Sequence, residues 1–158
     1  MSVTARWNRT YRTMPDGNCF FRAITMYLTG NEDDHIQFRA MVVNHVQNNF
    51  VSYLNVSEKT DDEFSEYLTN MKKTRSKNQR HWADTDIILA TSSFLKTPIV
   101  CYSPQNINNI RTNVWYTVDG FDMVGETNYN NECDSFNHTH KQIILNNESG
   151  DHFEPAEF

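Results

Sequence analysis

The sequence predicts an α+β (mixed α/β) fold in which helices cover a small central β-sheet. Two observations carry this. Apolar residues recur at helical spacing through residues 19–95, whereas β-branched and alternating apolar runs cluster after residue 97. A chain of 158 residues with 38% hydrophobic residues, ten Phe and seven Tyr can bury one sizeable core, so a single domain spanning 1–158 is expected.

Residues 1–15 are polar and end in Pro15, which reads as an entry arm with one short helix, Trp7 and Tyr11 lying four apart. The turn Asp16-Gly17-Asn18 follows and runs into Cys19. From Cys19, the positions Phe20, Ala23, Ile24, Tyr27 and Leu28 predict a buried helix whose first residue lies at the surface, with Gly30 as its C-terminal cap. Residues 33–54 read as one long amphipathic helix with the stripe Ile36, Ala40, Val43, Val46, Phe50 and Leu54. Thr60-Asp61-Asp62-Glu63 is a capping box, and Phe64, Leu68 and Met71 face inward on the helix it starts.

Residues 72–80 hold five basic side chains and no acid, which suits a solvated loop or a partner contact. After His81-Trp82-Ala83, Asp84 or Thr85 caps a helix with Ile87, Ile88, Ala90, Thr91, Phe94 and Leu95. Residues 97–103 form a short strand that Pro104 ends, followed by a polar loop to Ile110. Val114, Tyr116 and Val118 alternate as a half-buried strand, and residues 119–140 are polar and loop-like. Gln142 to Leu145 is the strongest late strand; a turn then leads to an extended segment at His152-Phe153-Glu154-Pro155.

A formal net charge of −6 argues against a general nucleic-acid binder, which needs a basic footprint. Cys19, Cys101 and Cys133 form no CxxC pair and no even framework. With no apolar leader and no spanning segment, an intracellular, cytoplasmic protein away from the membrane is expected. The Asn-X-Ser/Thr triplets at Asn8, Asn55, Asn137 and Asn147 are chance matches in an Asn-rich chain.

The chemistry gathers at Cys19. A cysteine can be a small buried hydrophobe, but a polar turn before a helix start places backbone N–H groups beside the sulfur. Such amides, here around Gly17 and Asn18, can hold an oxyanion, and a sulfur at a helix N-terminus ionises more readily. A nucleophilic cysteine needs a base. Among six histidines, His152 follows the best late strand across a short turn, and Glu154, two residues on, projects to the same side of an extended segment. Taken alone, His152 could be an exposed turn histidine. With Glu154 it becomes an oriented imidazole that leaves one nitrogen for the thiol. A zinc site from Cys133, His138, His140 and another ligand fits no metal-ligand spacing.

Asp16-Gly17-Asn18-Cys19-Phe20-Phe21-Arg22-Ala23-Ile24 resembles the catalytic-cysteine motif of the ovarian tumour (OTU) family of cysteine proteases. His81-Trp82-Ala83-Asp84 is similar to that family's Trp-Gly segment, and Thr97-Pro98-Ile99-Val100 to its Pro-Ile strand. Residues 143–154 resemble its final strand, loop and catalytic histidine. The resemblance implies a papain-like OTU fold and a deubiquitinase that hydrolyses isopeptide bonds after the Gly-Gly terminus of ubiquitin through a cysteine thioester, with no metal and no cofactor. Cys19 would be the nucleophile and His152 the base. The acid would be Glu154 or Asp16, with Glu154 assigned to orienting His152 and Asp16 mainly to shaping the turn.

Trp82 reads first as a core residue and second as a wall confining the Gly-Gly tail. Two departures from the family pattern are Glu154, where Asp or Asn is usual, and Ala83, where glycine is usual. Ubiquitin or its chains, with ubiquitin-like proteins as further candidates, are the implied partners of a monomeric enzyme. The alternative is a catalytically weak ubiquitin-binding module with the same fold.

Overall fold

The computed structural model describes residues 9–10, 17–73, 83–120, 142–147 and 152–157. Their order is β1 (Arg9–Thr10), α1 (Cys19–Thr29), α2 (His35–Asn48), α3 (Phe50–Ser57), α4 (Asp61–Met71), α5 (Thr85–Leu95), β2 (Ile99–Ile107), β3 (Ile110–Val118), β4 (Ile143–Asn146) and β5 (Glu154–Glu157). Five helices and a small sheet give the mixed α/β architecture expected from the sequence.

The sheet runs β1-β5-β4-β2-β3. β2 and β4 are parallel, with Ile99 opposite Ile143 and Tyr102 opposite Asn146; the other neighbouring pairs are antiparallel. β4 and β5 meet through Leu145–Pro155 and Asn146–Glu154. Cys101, Ile99, Ile143 and Leu145 are fully buried, because helices cover this part of the sheet. α1 packs against α2, β4 and β5, and an aromatic seam continues inward from it: Phe21 on Phe38, with ring centroids 6.4 Å apart, and Phe38 on Phe94 at 6.0 Å.

Local rules account for several boundaries. Gly30 closes α1 at φ 77°, a left-handed conformation open to glycine without strain. Thr60 and Glu63 form both halves of the capping box, and Phe64, Leu68 and Met71 are the buried side of α4. Asp84 is the cap of α5, its carboxylate accepting from the Ile87 amide at 3.2 Å.

Five expectations need correction. The long helix of 33–54 is two helices, because Asn49 leaves helical geometry at φ −128°, ψ 38°, with its side chain donating to the His45 carbonyl. The inward face is also turned: Phe38, Arg39, Val42, Val43, His45 and Val46 are buried, while Ile36 is 44% exposed. Pro104 does not end its strand. The pairing of β2 with β4 ends at Tyr102, so among the described residues no strand continues the ladder on that edge and a residue without an N–H is tolerated.

The polar loop to Ile110 is instead a tight hairpin. Asn108 and Asn109 lie at φ 52° and 64°, the two consecutive left-handed residues of a type I′ turn, and β3 starts directly after them. At the N-terminal end, Arg9–Thr10 pairs as a strand with β5, where an arm with a short helix was expected. Among the described residues no helix is long and apolar enough to cross a membrane.

Candidate active site

Cys19 is the first residue of α1. Instead of standing at the surface it is 5% exposed, because the segment leading into β5 packs across the first turn of the helix. The contact is specific: Phe20 meets Phe153 edge-on, with ring centroids 5.3 Å apart. These are the residues next to Cys19 and His152, so the helix start and the histidine arrive at one place.

His152 and Glu154 form a pair. The imidazole Nε2 lies 3.2 Å from the Glu154 carboxylate. Extended backbone puts the two side chains on the same side, and the register Asn146–Glu154 fixes the glutamate at the start of β5. The extra methylene of Glu, relative to the usual Asp or Asn, does not prevent contact. With Nε2 donating to the carboxylate, the neutral ring carries its lone pair on Nδ1, which is shielded from solvent.

The turn before Cys19 has an unusual cap. An asparagine at the N-cap normally accepts a bond from an amide of the first helical turn. Asn18 makes no such side-chain bond, although its carbonyl accepts from the Arg22 amide at 2.9 Å. Its side-chain oxygen turns to Arg39 Nη1 at 2.9 Å, and the same nitrogen donates to the Gly17 carbonyl at 3.2 Å. The positive end of the α1 dipole therefore sits at Cys19, in a field that favours negative charge.

Sequence reasoning missed Arg39, which is 2% exposed. The signal was present: Arg39 stands at i, i+3, i+4, i+7 spacing with Val42, Val43 and Val46, so it belongs to the buried face. A second missed feature lies just after Trp82. The Tyr67 hydroxyl donates to the Asp84 carboxylate, and Lys59 lies 2.8 Å from Asp86 and over the Tyr67 ring. Burial, the largest cause, raises both the Asp84 carboxyl and the Tyr67 hydroxyl above their usual pKa ranges. This cluster fixes the end of the segment that contains Ala83. Positive φ among the described non-glycine residues is confined to Glu58, Lys96, Asn108 and Asn109, so Ala83 needs no glycine conformation.

Gly17, Asn18 and Cys19 thus stand together at the head of α1, with His152 and Glu154 paired at the head of β5. Asp16 and Trp82 lie outside the described residues, as do Cys133, His138 and His140. No group of three or more potential metal-ligating side chains gathers among the described residues.

Comparison with known proteins places this arrangement. Residues 14–138 match the family model described as OTU-like cysteine protease, a span that includes Cys19 and stops short of His152. A deubiquitinating enzyme of Arabidopsis thaliana, ovarian tumor domain-containing deubiquitinating enzyme 7, is 56% identical over 34 residues, which is 22% of this chain and 9% of that protein. Among solved structures, the viral OTU domain protease of Dera Ghazi Khan virus superposes with a TM-score of 0.68 at 16% identity, covering 99% of this chain and 84% of that one. An OTU deubiquitinase of Wolbachia pipientis wMel, solved bound to ubiquitin, gives 0.61 at 18% identity, covering 94% of each chain. The structural likenesses speak for the fold, and the family model, spanning most of the chain, settles the family: this protein is a member of the OTU-like cysteine proteases.

Proposed function

We propose that the protein is a deubiquitinase hydrolysing isopeptide bonds after the C-terminal Gly-Gly of ubiquitin, with Cys19 as nucleophile, His152 as general base and Glu154 orienting the imidazole. The observation that carries this reading is the His152–Glu154 pair at 3.2 Å, joined to the cysteine-bearing helix start by Phe20 and Phe153. His152 Nδ1 takes the Sγ proton, and the thiolate attacks the carbonyl carbon of the terminal glycine. The oxyanion rests on backbone amides of the Gly17–Cys19 turn. Collapse breaks the C–N bond, the imidazolium protonates the departing amine, and a thioester remains. Water, deprotonated at Nδ1, then releases the carboxylate and the thiol.

To Asp16 this reading assigns the shaping of the turn and the part of a second acid, and to Trp82, if it is not simply a core residue, the confinement of the narrow Gly-Gly tail. The described residues share one connected hydrophobic core, which supports one protease domain across the chain. The net charge of −6 favours a basic peptide tail over nucleic acid as partner. The three cysteines form no CxxC pair and no even framework, which supports action in the reducing cytoplasm, and a monomer suffices because both halves of the site come from one chain.

The test uses ubiquitin carrying a C-terminal electrophile, together with diubiquitins of every linkage. A covalent adduct that disappears in Cys19→Ala, with cleavage of at least one linkage, is expected. Tight binding without adduct or cleavage would replace the enzyme with a ubiquitin-binding module.

A further inference from the structure

Arg39 lies outside the chemistry just described, yet its guanidinium holds the turn on which that chemistry depends. It is almost fully buried, and a buried cation is costly unless its donors are all well placed. Three of its hydrogen bonds go to neutral oxygens: Nε to the carbonyl of Met71 at 2.7 Å, and Nη1 to the Gly17 carbonyl and the Asn18 side chain. One face of the guanidinium lies over Phe21, 4.9 Å from the ring centroid. The fork is therefore fixed between α4, α1 and the turn. A purely space-filling role would be met by leucine or methionine without the desolvation cost.

The two bonds to the turn have a stereochemical consequence. A trans peptide points its C=O and N–H in opposite directions. Holding the Gly17 carbonyl towards Arg39 therefore aims the Asn18 amide away from it. Holding the Asn18 side chain prevents it from doing what an N-cap asparagine ordinarily does, which is to accept from the first-turn amides of α1. Both effects fix the orientation of the backbone at the helix start, where a developing oxyanion would meet its donors.

We propose that Arg39 is a positioning residue for the oxyanion site: it orients the Gly17–Asn18 peptide and withholds the Asn18 side chain from the helix N-terminus. This rests on the cysteine-protease reading of Cys19. Removing an oxyanion donor costs about 100-fold or more in turnover, and misaiming one costs part of that.

The experiment compares the wild type with Arg39→Lys, which keeps the charge but cannot span both turn acceptors and Met71. Readouts are kcat and KM on ubiquitin bearing a C-terminal fluorogenic amide, affinity for ubiquitin C-terminal aldehyde, and the rate of Cys19 alkylation by iodoacetamide. The aldehyde adduct places an oxygen in the oxyanion site, whereas alkylation does not use it. The expected result is a fall in kcat and in aldehyde affinity of about tenfold or more, with KM and alkylation within about twofold.

Equal losses in all readouts, or no loss of kcat, overturn the proposal. If Arg39→Lys does not fold, Asn18→Ala carries the test: it removes one of the two anchors, and kcat should drop several-fold with alkylation unchanged, whereas an unchanged kcat overturns the proposal. An inactive wild type removes the deubiquitinase reading and this proposal together; an active wild type with an equally active Arg39→Lys removes this proposal alone.

Discussion

Phe20 and Phe153 meet edge-on at 5.3 Å, each one residue beyond a candidate catalytic side chain. This contact ties the first turn of α1 to the approach into β5. Phe153→Leu keeps most of the apolar volume and loses the aromatic geometry, at about 1 kcal/mol. Turnover should fall more than that stability loss explains, because the imidazole shifts relative to the sulfur. Thermal midpoints and kcat measured on the same samples check this; a variant with a lowered midpoint and full kcat would show that the contact only packs.

The roles within the site predict a graded series. Cys19→Ala and His152→Ala abolish cleavage, since each removes a reacting group. Glu154→Ala should cost about 100-fold, because the imidazole keeps its lone pair but loses the group that orients it, and Asp16 partly compensates. Turnover of a fluorogenic ubiquitin substrate ranks the three. Full activity in His152→Ala would end the assignment of the base.

Those residues were legible in the sequence because the rules that place them are local. A short polar turn before an apolar helix marked Cys19, period-two geometry paired His152 with Glu154, and Thr60 with Glu63 announced their own capping box. The failures were of a different kind. Apolar spacing ran on through Phe50 and Leu54, which hid the break at Asn49. Arg39 was passed over because a stripe read by apolar residues cannot register a cation whose partners lie in two other segments. Pro104 reads as a strand end unless it is known that β4 has already separated from β2. The last two depend on neighbours distant in sequence.

Stability should depend on pH through His45. This side chain is 3% exposed, with Nε2 2.7 Å from the Tyr53 hydroxyl. Burial first, then the Lys96 charge, lowers its pKa from 6.5 to about 4. The folded state thus binds the proton less readily than the unfolded chain. The stabilisation is fully present above pH ~6.5 and is lost as pH falls towards ~4, reaching about 3 kcal/mol in total. Urea unfolding at pH 7 and pH 4.5 should reveal the loss, and His45→Gln should flatten that part of the profile.

Gly120 packs directly on α5. Its amide donates to the Ser92 hydroxyl at 2.9 Å, and a Cβ there would lie 2.6 Å from the Leu89 carbonyl oxygen and 2.9 Å from the Ser93 nitrogen. Gly120→Ala must push β3 off the helix and should cost about 1–3 kcal/mol. Denaturant midpoints at neutral pH test this, and a shift within error would mean that the strand end yields freely.

The two thiols among the described residues, Cys19 and Cys101, should differ in reactivity. Burial, partly offset by a hydrogen bond with Tyr116, pushes the Cys101 thiol up to about 11. At pH 7.5 in the folded protein, iodoacetamide should modify Cys19 and spare Cys101, as read by mass spectrometry of the digested protein.

The position of β5 between β1 and β4 has a consequence during synthesis. Arg9–Thr10 leaves the ribosome well before its strand partner Ala156–Glu157. The thiol and its imidazole are separated in the same way, so no nascent fragment ending before His152 can carry both. On the proposed reading, a nascent chain that has not yet extruded His152 and β5 lacks the base for cleavage, and the pairing of β5 completes the site.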